Sequence, residues 1–277
     1  MPAKLYVVGT PIGNLSDLSL RAAKTLEVVD FIAAEDSRVT LKLLNNLNIK
    51  KKVISYFEHN KYEKSKFICE KILNGENCAL VSDAGMPCIS DPGEYLVQMC
   101  FDLNIEVTVI PGPCAVSSAL SLAGIFGNRF SFEGFLSVNK KSRNEHLKQI
   151  QNETKTMVFY EAPHKLYKTL CDLFKVLGNR NIVLVKELTK IHECAIHTSL
   201  ECAVSEYKDK NIKGEYVIIV KSEKKVIEKK DNGSLEIAIK LYEKFISLGY
   251  SKTDAIKKAS AEADVKKNMI YRYILKN

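Results

Sequence analysis

The chain has 277 residues, 46% hydrophobic and 27% charged, which is enough apolar material for a substantial core and excludes a disordered chain. Thirteen glycines and seven prolines exclude collagen-like or low-complexity material. The formal charge of +8 is uneven: residues 221–277 hold 14 Lys or Arg against 8 Asp or Glu, leaving 27 against 25 for residues 1–220.

From the N-terminus, short apolar runs alternate with helical periodicity. Leu5 to Val8, Phe31 to Ala34, Val53 to Ser55, Cys78 to Val81 and Val107 to Ile110 are strand-like. Between them, Ala22, Leu26 and Val29 repeat at helical spacing, as do Phe67, Ile68, Ile72 and Leu73. Strands alternating with helices predict crossover units and a mainly parallel sheet. Residues 107–128 carry no charge, but Pro111, Gly112 and Pro113 followed by Ser117, Ser118 and Ser121 read as strand, turn and small-residue helix, so no membrane span is expected. Thr156 to Tyr160, Ile182 to Val185 and Tyr216 to Val220 make a second strand series, with a helix from about His164 to Leu177.

The expected organisation is an α/β lobe over 1–116, a second α/β lobe over 117–222 hinged between Pro113 and Lys141, a charged linker over 223–233 and a helical segment over 234–277. In that segment Ile237, Leu241 and Phe245 form an apolar stripe, Ser251 caps a second helix, and Val265 to Leu275 makes a third, joined through Ala263 and Asp264. This fits a helix-turn-helix whose last helix offers Lys266, Lys267, Arg272 and Lys276 to RNA or DNA; a capping bundle with a solvated basic face is the alternative.

Eight cysteines without a C-x-x-C pair read as buried thiols in a reducing compartment. The first nine residues reach Gly9 too early for a leader, so a soluble cytoplasmic protein is expected. No zinc site is expected: on a strand, His192 and Cys194 would face one way and His197 the other, away from convergence with Cys202.

In such sheets ligands sit beyond the carboxyl ends of strands, so the loops there are the candidates for chemistry. Gly9 to Asn14 follows the first strand. Glu35, Asp36 and Arg38 follow the second, and His59 the third. Ser82 to Glu94 follows the fourth, with two aspartates among many turn formers. Asp91, Pro92 and Glu94 read as helix cap, first-turn proline and capping-box partner, which leaves Asp83 as the stronger functional candidate. Pro111 to Ala115 opens a helix of small residues. Tyr160 to His164 and Lys186 to Lys190 occupy equivalent places in the second lobe.

Together, Thr10 to Leu15 (Thr-Pro-Ile-Gly-Asn-Leu), Ala33 to Arg38 (Ala-Ala-Glu-Asp-Ser-Arg), Ser82 to Gly93, Pro111 to Pro113, Phe159 to His164 and Glu187 to Lys190 resemble the ribosomal RNA small-subunit methyltransferase I family of the tetrapyrrole methylase superfamily. That resemblance implies 2′-O-methylation of a cytidine ribose in the decoding region of small-subunit (16S) ribosomal RNA, with S-adenosylmethionine held between two α/β lobes. It implies a small ribosomal subunit or its RNA as partner, a homodimer, and cofactor contacts from Pro11, Val81, Ser82, Asp83, Met86, Cys114, Ala115, Glu161, Leu188, Gly214 and Glu215. Cys114 stands where the family usually has Ser, Met86 and Cys88 where it has Thr and Gly, and Lys165 where Arg is usual. For the base that relieves the ribose hydroxyl of its proton, Asp36, Glu35 and His59 are the candidates, with slight preference for Asp36; Arg38 and Lys186 are candidate substrate anchors. A tetrapyrrole C-methyltransferase and a ligand-sensing nucleic-acid-binding regulator are the competing readings.

Overall fold

The computed structural model describes residues 2–125, 129–222, 231–263 and 265–275, the side chains of 231–234 excepted. They fall into two compact units, 1–223 and 224–277.

The first unit contains two five-stranded sheets. One is built from β1 (Leu5–Val8), β2 (Phe31–Ala34), β3 (Lys52–Ser55), β4 (Cys78–Val81) and β5 (Val107–Ile110). All its pairs are parallel, in the order β3-β2-β4-β1-β5. The period-two alternation of side chains sorts the core to its two faces. Leu5, Val7, Phe31, Ala33, Cys78 and Leu80 pack against α3 (Lys61–Leu73) and α4 (Gly93–Asp102). Val8, Ile32, Ala34, Ala79 and Val81 pack against α1 (Leu20–Val28) and α2 (Ser37–Asn46). Neighbouring strands β1 and β4 therefore send their following helices to opposite faces, which opens a crevice beyond their carboxyl ends.

The second sheet combines β6 (Phe130–Gly134), β7 (Thr156–Glu161), β8 (Asn181–Lys186), β9 (Cys194–Ser199) and β10 (Tyr216–Val220), in the order β6-β7-β10-β8-β9. Only β6–β7 is parallel, so this sheet is mostly antiparallel. One face carries α6 (Lys140–Ile150), α7 (Pro163–Leu177) and α8 (Leu200–Tyr207). The other receives α5 (Ala115–Ala123), whose Val116, Ala119 and Ala123 pack on Val158, Val183 and Val185. The small residues of α5 thus serve close packing on the second sheet, although the helix follows directly from the first.

The second unit packs α9 (Asp231–Ser247), α10 (Lys252–Glu262) and α11 (Lys267–Ile274) around Ala238, Phe245, Ala255, Ile256, Ala259, Val265 and Ile270. The apolar stripe of α9 departs from expectation. Ile237 is 56% exposed, and Ala238 takes its place in the core. The Ser251 cap is present: its Oγ accepts from the Asp254 N–H at 3.2 Å and donates to Asp254 Oδ2 at 2.6 Å. Lys266, Lys267 and Arg272 are exposed on or beside α11. Asp264, Lys276 and residues 223–230 of the expected linker lie outside the described residues. No helix among the described residues is long and apolar enough to cross a membrane.

Candidate active site

At the carboxyl ends of β1 and β4 the two loops are stitched together. Thr10 and Gly85 exchange backbone hydrogen bonds of 2.9 and 3.1 Å, and Thr10 Oγ1 donates to the Ser82 carbonyl at 3.2 Å. Gly9 and Gly112 complete the junction. A Cβ on either would lie 2.9 Å or less from backbone atoms of the other, so the loops after β1 and β5 pack backbone to backbone. The Gly112 N–H also reaches Met86 Sδ at 3.3 Å.

The junction forms one wall of a cavity of about 380 Å³. Asp83, Met86, Asp91, Cys114 and Ala115 come from the first sheet's loops; Tyr160, Glu161, Leu188, Glu215 and Tyr216 come from the second sheet. The volume lies in the range of small-molecule sites. Rings from Phe135 and Tyr160, 5.5 Å apart edge to face, offer π surfaces, and Asp83, Asp91 and Glu215 supply negative charge. At Cys114 and Ala115, α5 begins with no side-chain cap, leaving its first N–H groups available to an anionic group. These walls suit a ligand that joins an aromatic ring, a cation and a carboxylate.

Glu161 is held from behind. Its Oε2 accepts from Thr169 Oγ1 at 2.5 Å, Thr169 Oγ1 accepts from Arg143 Nη2 at 2.8 Å, and Arg143 Nε donates to Asp172 at 2.7 Å. Glu161, Thr169 and Arg143 are all buried. Opposite, Leu188 is presented by a strained turn in which both neighbours, Glu187 (φ 53°) and Thr189 (φ 64°), are left-handed non-glycine residues. Glu187 Oε1 stabilises that turn by accepting from the Glu215 N–H and from Lys190 Nζ, each at 2.9 Å.

Several residues expected at the cofactor do not line this cavity. Gly214 does not line the cavity; a Cβ there would meet Glu187 Cγ at 2.7 Å, so it makes room for the Glu187 brace. Val81 packs in the core against α1 and α2. Ser82 is buried and shapes its own turn by donating to the Gly85 carbonyl at 3.2 Å. Pro11 faces a neighbouring cavity, while Ile12 faces this one. Cys88, where the resembled family usually has Gly, adopts φ 66°, and burial pushes its thiol up to about 11.

Asp91 is the principal residue that sequence reasoning missed. The helix-start reading is wrong: α4 begins at Gly93 with Pro92 at the cap position and no side-chain cap. Asp91 instead borders the cavity and meets Glu35, which hydrogen-bonds to it. Burial, then the Asp91 and Asp83 carboxylates, pushes Glu35 up to about 7, and burial also raises Asp91. Its neighbour Asp36 is the opposite case. Arg38 Nη2 donates to Asp36 Oδ2 at 2.6 Å, the Arg38 N–H donates to Oδ1 at 2.8 Å, and Asp36 is held down at about 2. Asp36 is thus the cap of α2 and a weak proton acceptor. Arg38, its partner, has an 85% exposed side chain. His59 is exposed with its ring against Phe57, and it lines none of the cavities described here. Lys186 lies over the Tyr216 ring, 5.9 Å from its centre, outside the cavity lining. Among the described residues no group of three or more His, Cys, Asp or Glu is placed to hold a metal ion.

Residues 4–203 match the family model of Tetrapyrrole (Corrin/Porphyrin) Methylases. The chain is 41% identical over 268 residues to a Halalkalibacterium halodurans protein named ribosomal RNA small subunit methyltransferase I, covering 96% of this chain and 93% of the relative. It is 41% identical over 281 residues to the protein of the same name from Escherichia coli O157:H7, covering 98% and 94%. A Thermotoga maritima protein of that name is 43% identical over 217 residues, covering 78% of this chain and 97% of the relative. That relative is too short to hold counterparts of both units. Among solved structures, a conserved hypothetical protein from Aeropyrum pernix K1 superposes with a TM-score of 0.66 at 16% identity, covering 80% of this chain and 86% of that one. Uroporphyrin-III-C-methyltransferase from Thermus thermophilus superposes at 0.57 with 16% identity, covering 79% and 94%; these two share the fold.

Proposed function

The chain belongs to the ribosomal RNA small subunit methyltransferase I family, and from that premise we propose that it transfers the methyl group of S-adenosylmethionine to the 2′-hydroxyl of a cytidine ribose in the decoding region of 16S ribosomal RNA. One observation carries this reading: the loops that bear the family motifs, Ser82 to Gly93, Pro111 to Ala115, Phe159 to His164 and Glu187 to Lys190, are the loops that meet at the cavity.

The cavity residues fit the cofactor. Phe135 and Tyr160, in contact with each other, form one aromatic wall for an adenine ring, the uncapped start of α5 suits a carboxylate, and Asp83, Asp91 and Glu215 favour a sulfonium cation. When bound, S-adenosylmethionine supplies an electrophilic methyl group. The protein's own task is to position the ribose and accept its proton. The Glu35–Asp91 pair does the second: burial raises both carboxyls above their ordinary range, Glu35 to about 7, which makes them better proton acceptors once ionised. Asp91 at the cavity wall accepts the hydroxyl proton, with Glu35 behind it.

RNA contact by the second unit rests on the exposed Lys266, Lys267 and Arg272 at its last helix. A homodimer, cytoplasmic like the ribosomal RNA it would modify, completes the proposal, and sedimentation tests the dimer. Labelled S-adenosylmethionine offered with assembled small subunits, naked ribosomal RNA or a tetrapyrrole separates the alternatives: label in RNA supports this function, and label only in the tetrapyrrole refutes it.

A further inference from the structure

Beside the main cavity lies a second of about 220 Å³, walled by the Thr10 to Leu15 loop on one side and α2 on the other. Asp83 lines both, so the two cavities share a wall residue. Leu15 and Val39, 55% and 39% exposed, both line the second cavity and give it apolar surface. Lys42 and Asn46, one turn apart on α2, also line it. Among the described residues no hydrogen bond or ion pair engages either side chain.

We propose that this second cavity receives the acceptor nucleotide, singly and taken out of its stack; the inference rests on the methyltransferase reading above. At about 220 Å³ against 380 Å³ it is smaller than the methyl-donor cavity and leaves no room for a stacked run of bases. Leu15 and Val39 offer apolar surface to the two faces of a base, as sites for extruded bases do. The Asn46 amide has both a donor and an acceptor for a base edge, and the Lys42 ammonium suits the adjoining phosphate. A ribose between base and phosphate is then brought toward Asp83, the wall shared with the methyl-donor cavity. Transfer requires that adjacency, and the pocket assigns specificity to α2, an element outside the cofactor contacts.

The test compares the full-length protein with Asn46→Ala and with the Leu15→Ala/Val39→Ala pair, using small subunits or ribosomal RNA as acceptor. The expected result is a KM for RNA raised at least tenfold in each variant, with the dissociation constant of S-adenosylmethionine changed less than twofold. An unchanged KM for RNA overturns the proposal, as does a cofactor affinity that falls in step with it. A second measurement needs no turnover: a short RNA carrying pyrrolocytidine at the acceptor position should brighten on binding wild type and not on binding Asn46→Ala. Equal brightening with both proteins, or none with wild type, overturns the pocket. Absence of any methyl transfer by wild type would refute the function, leaving the fluorescence result to decide the pocket.

Discussion

Asp83 Oδ1 accepts a 2.9 Å hydrogen bond from the backbone N–H of Asp36, tying the long loop after β4 to the first turn of α2. Two neighbouring strand ends are thereby fixed to each other at the crevice. The bond also orders the acidic residues: Asp83 is spent on the backbone, Asp36 on Arg38, and Glu35 is left against Asp91.

The first prediction concerns pH. If the Glu35–Asp91 pair must be ionised to accept a proton, turnover rises as pH passes through about 7, and Glu35→Gln flattens that rise. Stability runs the other way. Glu35 sits above its ordinary 4.5, so its contribution is full below that pH and is lost as pH rises through about 7. Thermal melts from pH 5 to 8 should therefore show Glu35→Gln gaining on wild type as pH increases; parallel curves would remove Glu35 from the titration.

The second concerns Asp36. Asn caps helices as well as Asp, so Asp36→Asn should retain the fold and most turnover, while Asp36→Ala should lose about 1 kcal/mol of stability with the cap. A collapse of kcat in a well-folded Asp36→Asn would restore Asp36 as the base and displace the pair described above.

How much of this was readable beforehand varies by element. The strands β1, β2, β4 and β5 matched their sequence limits because each is a four-residue run of apolar or aromatic residues, broken only by the β-branched Thr108. β6 was not anticipated: Ser131 and Glu133 interrupt its apolar residues, and it lies at a sheet edge where no position is buried. Asp91 was misread because Asp-Pro-x-Glu is also how a helix begins, and only the fold shows Glu35 facing it. Glu35 and Asp36 are adjacent in sequence and opposite in protonation, a difference created by Arg38 and by burial, neither of which spacing reveals.

A third prediction tests the support behind Glu161. Thr169→Val keeps the side-chain shape but strips both Glu161 Oε2 and Arg143 Nη2 of a buried partner. That loss costs about 1 to 3 kcal/mol of folding stability and frees Glu161 to leave its place at the cavity wall. S-adenosylmethionine should bind roughly tenfold more weakly with kcat little changed, and Thr169→Ser should restore it. Equal loss in both variants would indicate packing alone.

The fourth concerns the basic helix. Replacing Lys266, Lys267 and Arg272 together by Ala should weaken RNA binding and reduce the magnitude of its logarithmic salt slope by about 2 if all three meet phosphates. Titrations between low and moderate salt measure this directly, and an unaltered slope would leave the unit a structural appendage, as the shorter Thermotoga maritima relative permits.

Ribose methylation is the chemistry proposed for the cavity between the β1 and β4 loops and the second sheet. Incubation with methyl-labelled S-adenosylmethionine and small ribosomal subunits, followed by alkaline hydrolysis of the RNA, tests it most directly. Label is expected in a single alkali-resistant dinucleotide containing cytidine. Label on a base, released in ordinary mononucleotides, would contradict it.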